Sequence, residues 1–265
     1  MSHFIRRNGK SPILVHLPHN SIYLPDDFVY QRSKVEKERD IHVLVDHHTD
    51  RLFAPLGGTS FVNPYCRLYF DPERFADPAQ EEMSQIGMGV FYTHTVDGHR
   101  FRMDDSSSEY QSRLDSLYYP YHHQLTDCCY DLMERYGHCV LIDGHSYPKR
   151  CFPFERFQND DRPEIDIGTD PIHTPDWLKQ LLYQSFSEAG YSVSFDQPFK
   201  GTLVPLSLNG QERLLACMIE VRRDVYLDQD AYEEGLVLID AVQIKRFHFV
   251  LGKVREKVIS YLDSY

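Results

Sequence analysis

Residues 139–147 read Cys139-Val140-Leu141-Ile142-Asp143-Gly144-His145-Ser146-Tyr147, an apolar run that carries Asp143 and His145 to a strand end. A rigid strand aims its side chains, and Gly144 lets other groups approach closely, so a metal ligand is well placed there. A second apolar run, residues 13–17, leads into Pro18-His19-Asn20-Ser21. The polar cluster Asp46-His47-His48-Thr49-Asp50 lies between them, and Glu220 ends a further apolar run, residues 215–219. Two strand-end histidines, a carboxylate and a distant glutamate are the components of a catalytic zinc hydrolase. Nitrogen and oxygen donors that leave one position for water let zinc bring that water's pKa near neutrality and polarise a carbonyl. Glu220 is suited to accept the water's proton and return it to a leaving nitrogen; its other role would be an ion pair with Arg222 or Arg223. Asp46 could instead cap a helix or pair with Arg51. Asp143 suits the orienting of a ligand or a loop better than direct ligation.

Residues 63–74 place Arg67 and Arg74 in an aromatic segment. A guanidinium is a planar fork matched to a carboxylate, so the two could hold an acidic substrate, or pair internally with Asp71 and Glu73. Lys200, after Pro198-Phe199 and before Gly201, falls on a loop, where it could be a ligand contact or simply solvated. Fourteen histidines are present, and His42, His94, His99, His122, His123 and His248 read as surface or helix-packing residues.

These groups need elements to hold them. The runs 13–17, 59–62, 138–142 and 214–221 show no alternation, the pattern of strands buried on both faces of a mostly parallel sheet. Helical spacing covers 36–53, 109–136 with Gly137 as its stop, and 174–189, where Thr174 caps, Pro175 takes the first position and Gly190 follows the end. A long amphipathic stretch, 228–263, is expected to break near Gly252. Alternating strands and helices predict an α/β three-layer sandwich around a mixed, mostly parallel sheet, with ligands outside the carboxyl ends of its strands. His19, His145 and Glu220 all fall there.

The 265 residues are read as a single domain, 1–265. No stretch reaches the roughly 18 apolar residues of a membrane span, and Met1 to Arg7 lead into no apolar leader, which predicts a cytoplasmic protein. A formal charge of −12 disfavours nucleic acid and anionic membranes as partners. The six cysteines form no Cys-x-x-Cys pair and read as mostly buried free thiols.

Taken in order, the motifs resemble the N-formylglutamate amidohydrolase family. They are Pro18-His19-Asn20-Ser21, Asp46-His47-His48 with Leu52, Tyr65-Cys66-Arg67 with Asp71-Pro72-Glu73-Arg74, Asp143-Gly144-His145-Ser146, Asp166-Ile167-Gly168-Thr169 as a Gly-Thr turn, Lys200-Gly201-Thr202, and Ile219-Glu220-Val221-Arg222. The resemblance implies a zinc exopeptidase-like fold and one Zn2+ held by His19, Asp46 and His145. It implies Glu220 as base, and Arg67, Arg74, His48, Lys200 and Arg222 as substrate contacts. Asp143 and Ser146 would support the ligands from behind. The substrate it implies is a small N-acyl amino acid such as N-formyl-L-glutamate.

Three departures stand out. The position three after His19 is Ile22 where related zinc enzymes carry a ligand glutamate. Glu73 stands where the family has asparagine, and Asn20-Ser21 replaces a small residue and glycine. A carboxypeptidase-like peptidase and a silent binding protein of the same fold are the competing readings.

Overall fold

The uninterrupted apolar runs form the middle of a seven-stranded sheet in the computed structural model, which describes residues 4–155, 159 and 161–264. Residues 1–3, the start of the segment read for a leader, lie outside the described residues. The strands are β1 (Ile5–Arg7), β2 (Ile13–Leu17), β3 (Thr59–Val62), β4 (Cys139–Tyr147), β5 (Ile165–Thr169), β6 (Val193–Phe195) and β7 (Leu214–Arg222). Their spatial order is β1-β3-β2-β4-β7-β5-β6. β3, β2, β4 and β7 run parallel, as do β5 and β6, while β1 and β5 lie antiparallel to β3 and β7. The sheet is therefore mixed and mostly parallel, as the sequence predicts.

All of β2 and β4 is buried, because helices cover both faces. Ile13, Val15 and Ile142 point to one side and Leu14 and Leu141 to the other. Helices α1 (Lys34–Leu44), α2 (Thr49–Leu52), α3 (Ser107–Arg113), α4 (Tyr119–Tyr136), α5 (Asp176–Glu188), α6 (Gln229–Glu233) and α7 (Ala241–Leu262) complete the fold. Leu125, Cys129 and Leu132 of α4 pack on the Leu14 face, and Leu182 of α5 with Phe247 and Leu251 of α7 on the Ile13 face. Each such side chain contributes about 1.5–3 kcal/mol of burial. All the cysteines except the half-buried Cys151 are buried.

Four expectations change. The helix over 36–53 is two, since Val45 is extended and His48 adopts φ 59°, so that Asp46 sits in the break. Gly252 does not break α7, whose buried Val250, Leu251 and Val254 hold it to the core on both sides of the glycine. Thr174 does not cap α5: the cap position is Pro175, and the Thr174 hydroxyl donates to Ala216 O at 2.6 Å. Asp166 to Thr169 form strand β5 rather than a turn, paired through Asp166 with Glu220. Gly168 is required there, since a Cβ would meet Gly201 O at 1.9 Å.

Gly144 also serves close approach, but of core side chains: a Cβ there would lie 2.9 Å from the Phe53 ring. Among the described residues no helix is long and apolar enough to cross a membrane.

Candidate active site

β2 and β4 are adjacent and parallel, so their carboxyl ends bring His19 and His145 together across 126 residues of chain. Their Nδ1 atoms lie 3.2 Å apart. The break between α1 and α2 is tied to the end of β2 by Asp46 N donating to His19 O at 2.9 Å. Asp46 Oδ2 consequently lies 3.2 Å from His145 Nδ1 and 3.7 Å from His19 Nδ1. Donors at tetrahedral corners with bonds of about 2.0–2.1 Å stand about 3.3–3.4 Å apart, close to this triangle.

The far nitrogens of both rings face carboxylates. His19 Nε2 donates to Asp71 Oδ1 at 2.8 Å, and His145 Nε2 to Asp143 Oδ1 at 3.1 Å. Asp143 Oδ1 also meets His16 Nδ1 at 2.8 Å, and its Oδ2 accepts Leu203 N at 3.0 Å. Glu73 stands on this same Nε2 side, 3.3 Å from His145 and 3.6 Å from His19. Among the described residues two groups, each with the half-buried Glu73 between buried partners, could hold a metal ion: His19, Glu73 and His145, and His16, Glu73 and Asp143.

Glu220 is the register partner of His145 across β4 and β7, and its Oε2 is buried without a hydrogen-bond partner. Burial pushes its carboxyl up to about 8, against the pull of His145. Burial alone would lower His145, but Glu73 and Asp143 outweigh it and hold the imidazole well above its ordinary value. Five carboxylates (Asp46, Asp71, Glu73, Asp143 and Glu220) converge here with three guanidiniums (Arg67, Arg74 and Arg223). Carboxylates thus outnumber guanidiniums by two, an anionic surplus that favours a bound cation. The donor set fits such an ion.

A cavity of about 220 Å³ opens on these groups. Arg67 and Arg74 line it, and both reach Asp71 Oδ2, at 2.9 and 3.4 Å. Tyr92 OH donates to the same oxygen at 2.9 Å. The Arg67 Nε is buried without a hydrogen-bond partner, whereas the Arg74 Nε is the atom that lies 3.4 Å from Asp71 Oδ2. Lys200 lies at the cavity as an exposed loop residue, as predicted.

Ser146 lines the cavity too, with its hydroxyl accepting from Tyr226 OH at 3.0 Å. Two predicted contacts are not brought there. His48 Nε2 faces Val237 O at 3.3 Å. Arg222 turns to Asp224 at 2.6 Å, while the next residue, Arg223, reaches Asp46 at 3.4 Å and lines the cavity. Asn20 and Ser21 take local roles: Asn20 Oδ1 accepts from Thr49 Oγ1 at 3.1 Å, and Ser21 Oγ donates to Pro64 O at 2.5 Å.

Sequence reasoning missed Asp71 as a histidine partner, Arg223, and an aromatic wall that includes Phe152 and Phe154. The one signal for Asp71 was its spacing between Arg67 and Arg74, which suggests only an ion pair.

The family model for N-formylglutamate amidohydrolase matches residues 11–227. The N-formylglutamate deformylase of Pseudomonas putida is 23% identical over 257 residues, covering 90% of this chain and 91% of that protein. The crystal structure of N-formylglutamate amidohydrolase from Ralstonia eutropha JMP134 superposes with a TM-score of 0.81 at 24% identity, over 98% of both chains. A gene product of Agrobacterium tumefaciens shares the fold at a TM-score of 0.69 and 19% identity, over 96% of this chain and 95% of its own. With a match over most of its length and the fold to accompany it, the chain belongs to the N-formylglutamate amidohydrolase family, hydrolases that act on amide bonds.

Proposed function

We propose that the protein hydrolyses the N-formyl, or another short N-acyl, amide of an amino acid with one zinc ion held by His19 Nδ1, His145 Nδ1 and Asp46 Oδ2. The observation that carries this reading is the pairing of both far nitrogens with carboxylates, Asp71 and Asp143. A ligating histidine donates its other N–H to such a group, which fixes the ring and raises its basicity. The Nε2 face, where Glu73 stands, is already engaged by those carboxylates, which favours the Nδ1 face for the ion. A bound zinc would supply Lewis acidity toward the amide carbonyl and toward water.

The chain's own residues do the rest. Glu220, opposite His145 and lacking a hydrogen-bond partner at Oε2, accepts the attacking water's proton and delivers it to the leaving nitrogen. A cation held by His19, His145 and Asp46 would favour the carboxylate form of Glu220. Arg67 and Arg74 hold the substrate's carboxylate, the Arg67 Nε–H being free of any other partner.

A cavity of about 220 Å³ is smaller than the roughly 300–1,000 Å³ of pockets for drug-sized ligands, which favours a small N-acyl amino acid over a peptide. Buried free thiols suit the reducing setting of a cytoplasmic enzyme.

The test combines metal analysis of protein purified without chelators with formate release from N-formyl amino acids. One zinc per chain and steady release are expected. Glu220→Gln should retain the metal and lose about 10²–10⁴ of the rate. A Glu220→Gln protein of undiminished activity would remove the base from this scheme.

A further inference from the structure

The cavity's lining is of two kinds: histidines, carboxylates and arginines, and an apolar wall that includes Tyr147, Phe152, Phe154, Phe199 and Met218. We propose that the amino acid released here carries a single carboxylate, held by Arg67 and Arg74, and an apolar, preferably aromatic side chain seated on that wall. The inference rests on the amide-hydrolase reading above and names its substrate class.

Positive charge sets the first half. Arg67 and Arg74 share Asp71 between them, so together they have about one charge, and a free Nε–H on Arg67, left for a ligand. Arg223 is engaged by Asp46, by Val43 O at 2.8 Å and by the Tyr232 hydroxyl at 2.6 Å. Lys200 is exposed, and a solvated ammonium adds little to binding. Apart from the exposed Lys200 and the already engaged Arg223, a second substrate carboxylate would meet Glu73, Asp46 and Glu220, or the aromatic rings.

The wall is also built rather than incidental. Phe152 and Phe154 stack with centroids 5.1 Å apart and planes 8° apart. Phe199 meets Tyr147 edge-on at 5.4 Å. The buried Arg162 lies over both, 4.7 Å from Tyr147 and 5.3 Å from Phe199. It is fixed by Glu155 at 3.0 Å and by the carbonyls of Pro148 and Arg150 at 3.2 and 3.4 Å. Aromatic surface held this firmly rewards an apolar group and gives a carboxylate nothing in exchange for its water.

The experiment measures kcat/KM by formate release for N-formyl-L-phenylalanine, N-formyl-L-leucine and N-formyl-L-glutamate. Both apolar substrates should exceed the glutamate derivative by tenfold or more. Phe199→Ala should cost the phenylalanine substrate at least tenfold and the glutamate substrate under threefold; Phe199→Leu, closer in volume, should fall between. Glutamate hydrolysed as fast as or faster than the apolar pair would overturn the inference and leave the hydrolase reading intact. No formate from any of the three would overturn that reading, and the inference with it.

Discussion

Two histidine pairs lie close together in this molecule and have opposite fates. His19 and His145 turn one nitrogen toward a carboxylate and the other toward each other and Asp46. His47 and His48, the immediate neighbours of Asp46, turn Nε2 toward the carbonyls of His42 and Val237. Burial pushes His47 down to about 3, so that it stays neutral near pH 7. A backbone carbonyl fixes a ring as a structural member. A carboxylate behind the ring also raises its basicity and leaves the other nitrogen free to donate to an ion. What stands behind each ring distinguishes the pairs better than burial does, since His145 and His47 are both buried.

The contrast is broken most directly by removing one member of each pair. His145→Ala should lose the bound metal and about 10³-fold or more of activity, the share of the barrier that Lewis acidity supplies. His48→Ala should stay within roughly twofold of the native rate, as expected of a position outside the cavity. Elemental analysis beside a formate assay reads both. Equal losses in the two variants would erase the distinction.

The comparison is sharpened by the carboxylate behind His19. Asp71→Asn keeps the shape and removes the charge, and should lower metal affinity by about 10–100-fold in a chelator competition. Unchanged affinity would reduce Asp71 to the partner of Arg67 and Arg74.

Much of this was legible in the sequence. The strand ends that aim His19, His145 and Glu220 follow from apolar runs too continuous for a half-exposed sheet, and parallel neighbours place them together. Asp71 was not legible, because its role depends on where the 63–74 segment lies over β2, a tertiary fact with no local pattern. β5 was hidden for a related reason. Asp166 and Gly168 read as turn residues, yet Asp166 is buried and accepts from Gln197 N and Phe199 N. The break after α1 was masked by a pattern that continues across 45–48, while the backbone there bends to present Asp46.

A last, smaller effect lies well away from the histidines and marks the electrostatics that belong to the fold alone. Burial pushes Asp105 up, but Arg102 and Arg113, at 2.8 and 2.7 Å, outweigh it and hold the carboxyl below its ordinary value. Its stabilising contribution is therefore full above the unfolded pKa of roughly 3.9 and is lost as pH falls through the lower folded value. Asp105→Asn should reduce the denaturation midpoint at pH 7, with the gap from the native protein closing below about pH 4. A gap that persists unchanged in acid would show that the charge is not its source.

Residues 19 and 145 meet across 126 positions, and Asp46 reaches His145 across 99. Contacts of such sequence separation form late, because long loops must close before they yield any stabilisation, and parallel pairing of β2, β4 and β7 admits no shortcut through hairpins. A chain still being synthesised would hold its histidines without Glu220 until β7 had emerged and docked. The candidate site is thus complete only when β7 has joined the sheet beside β4.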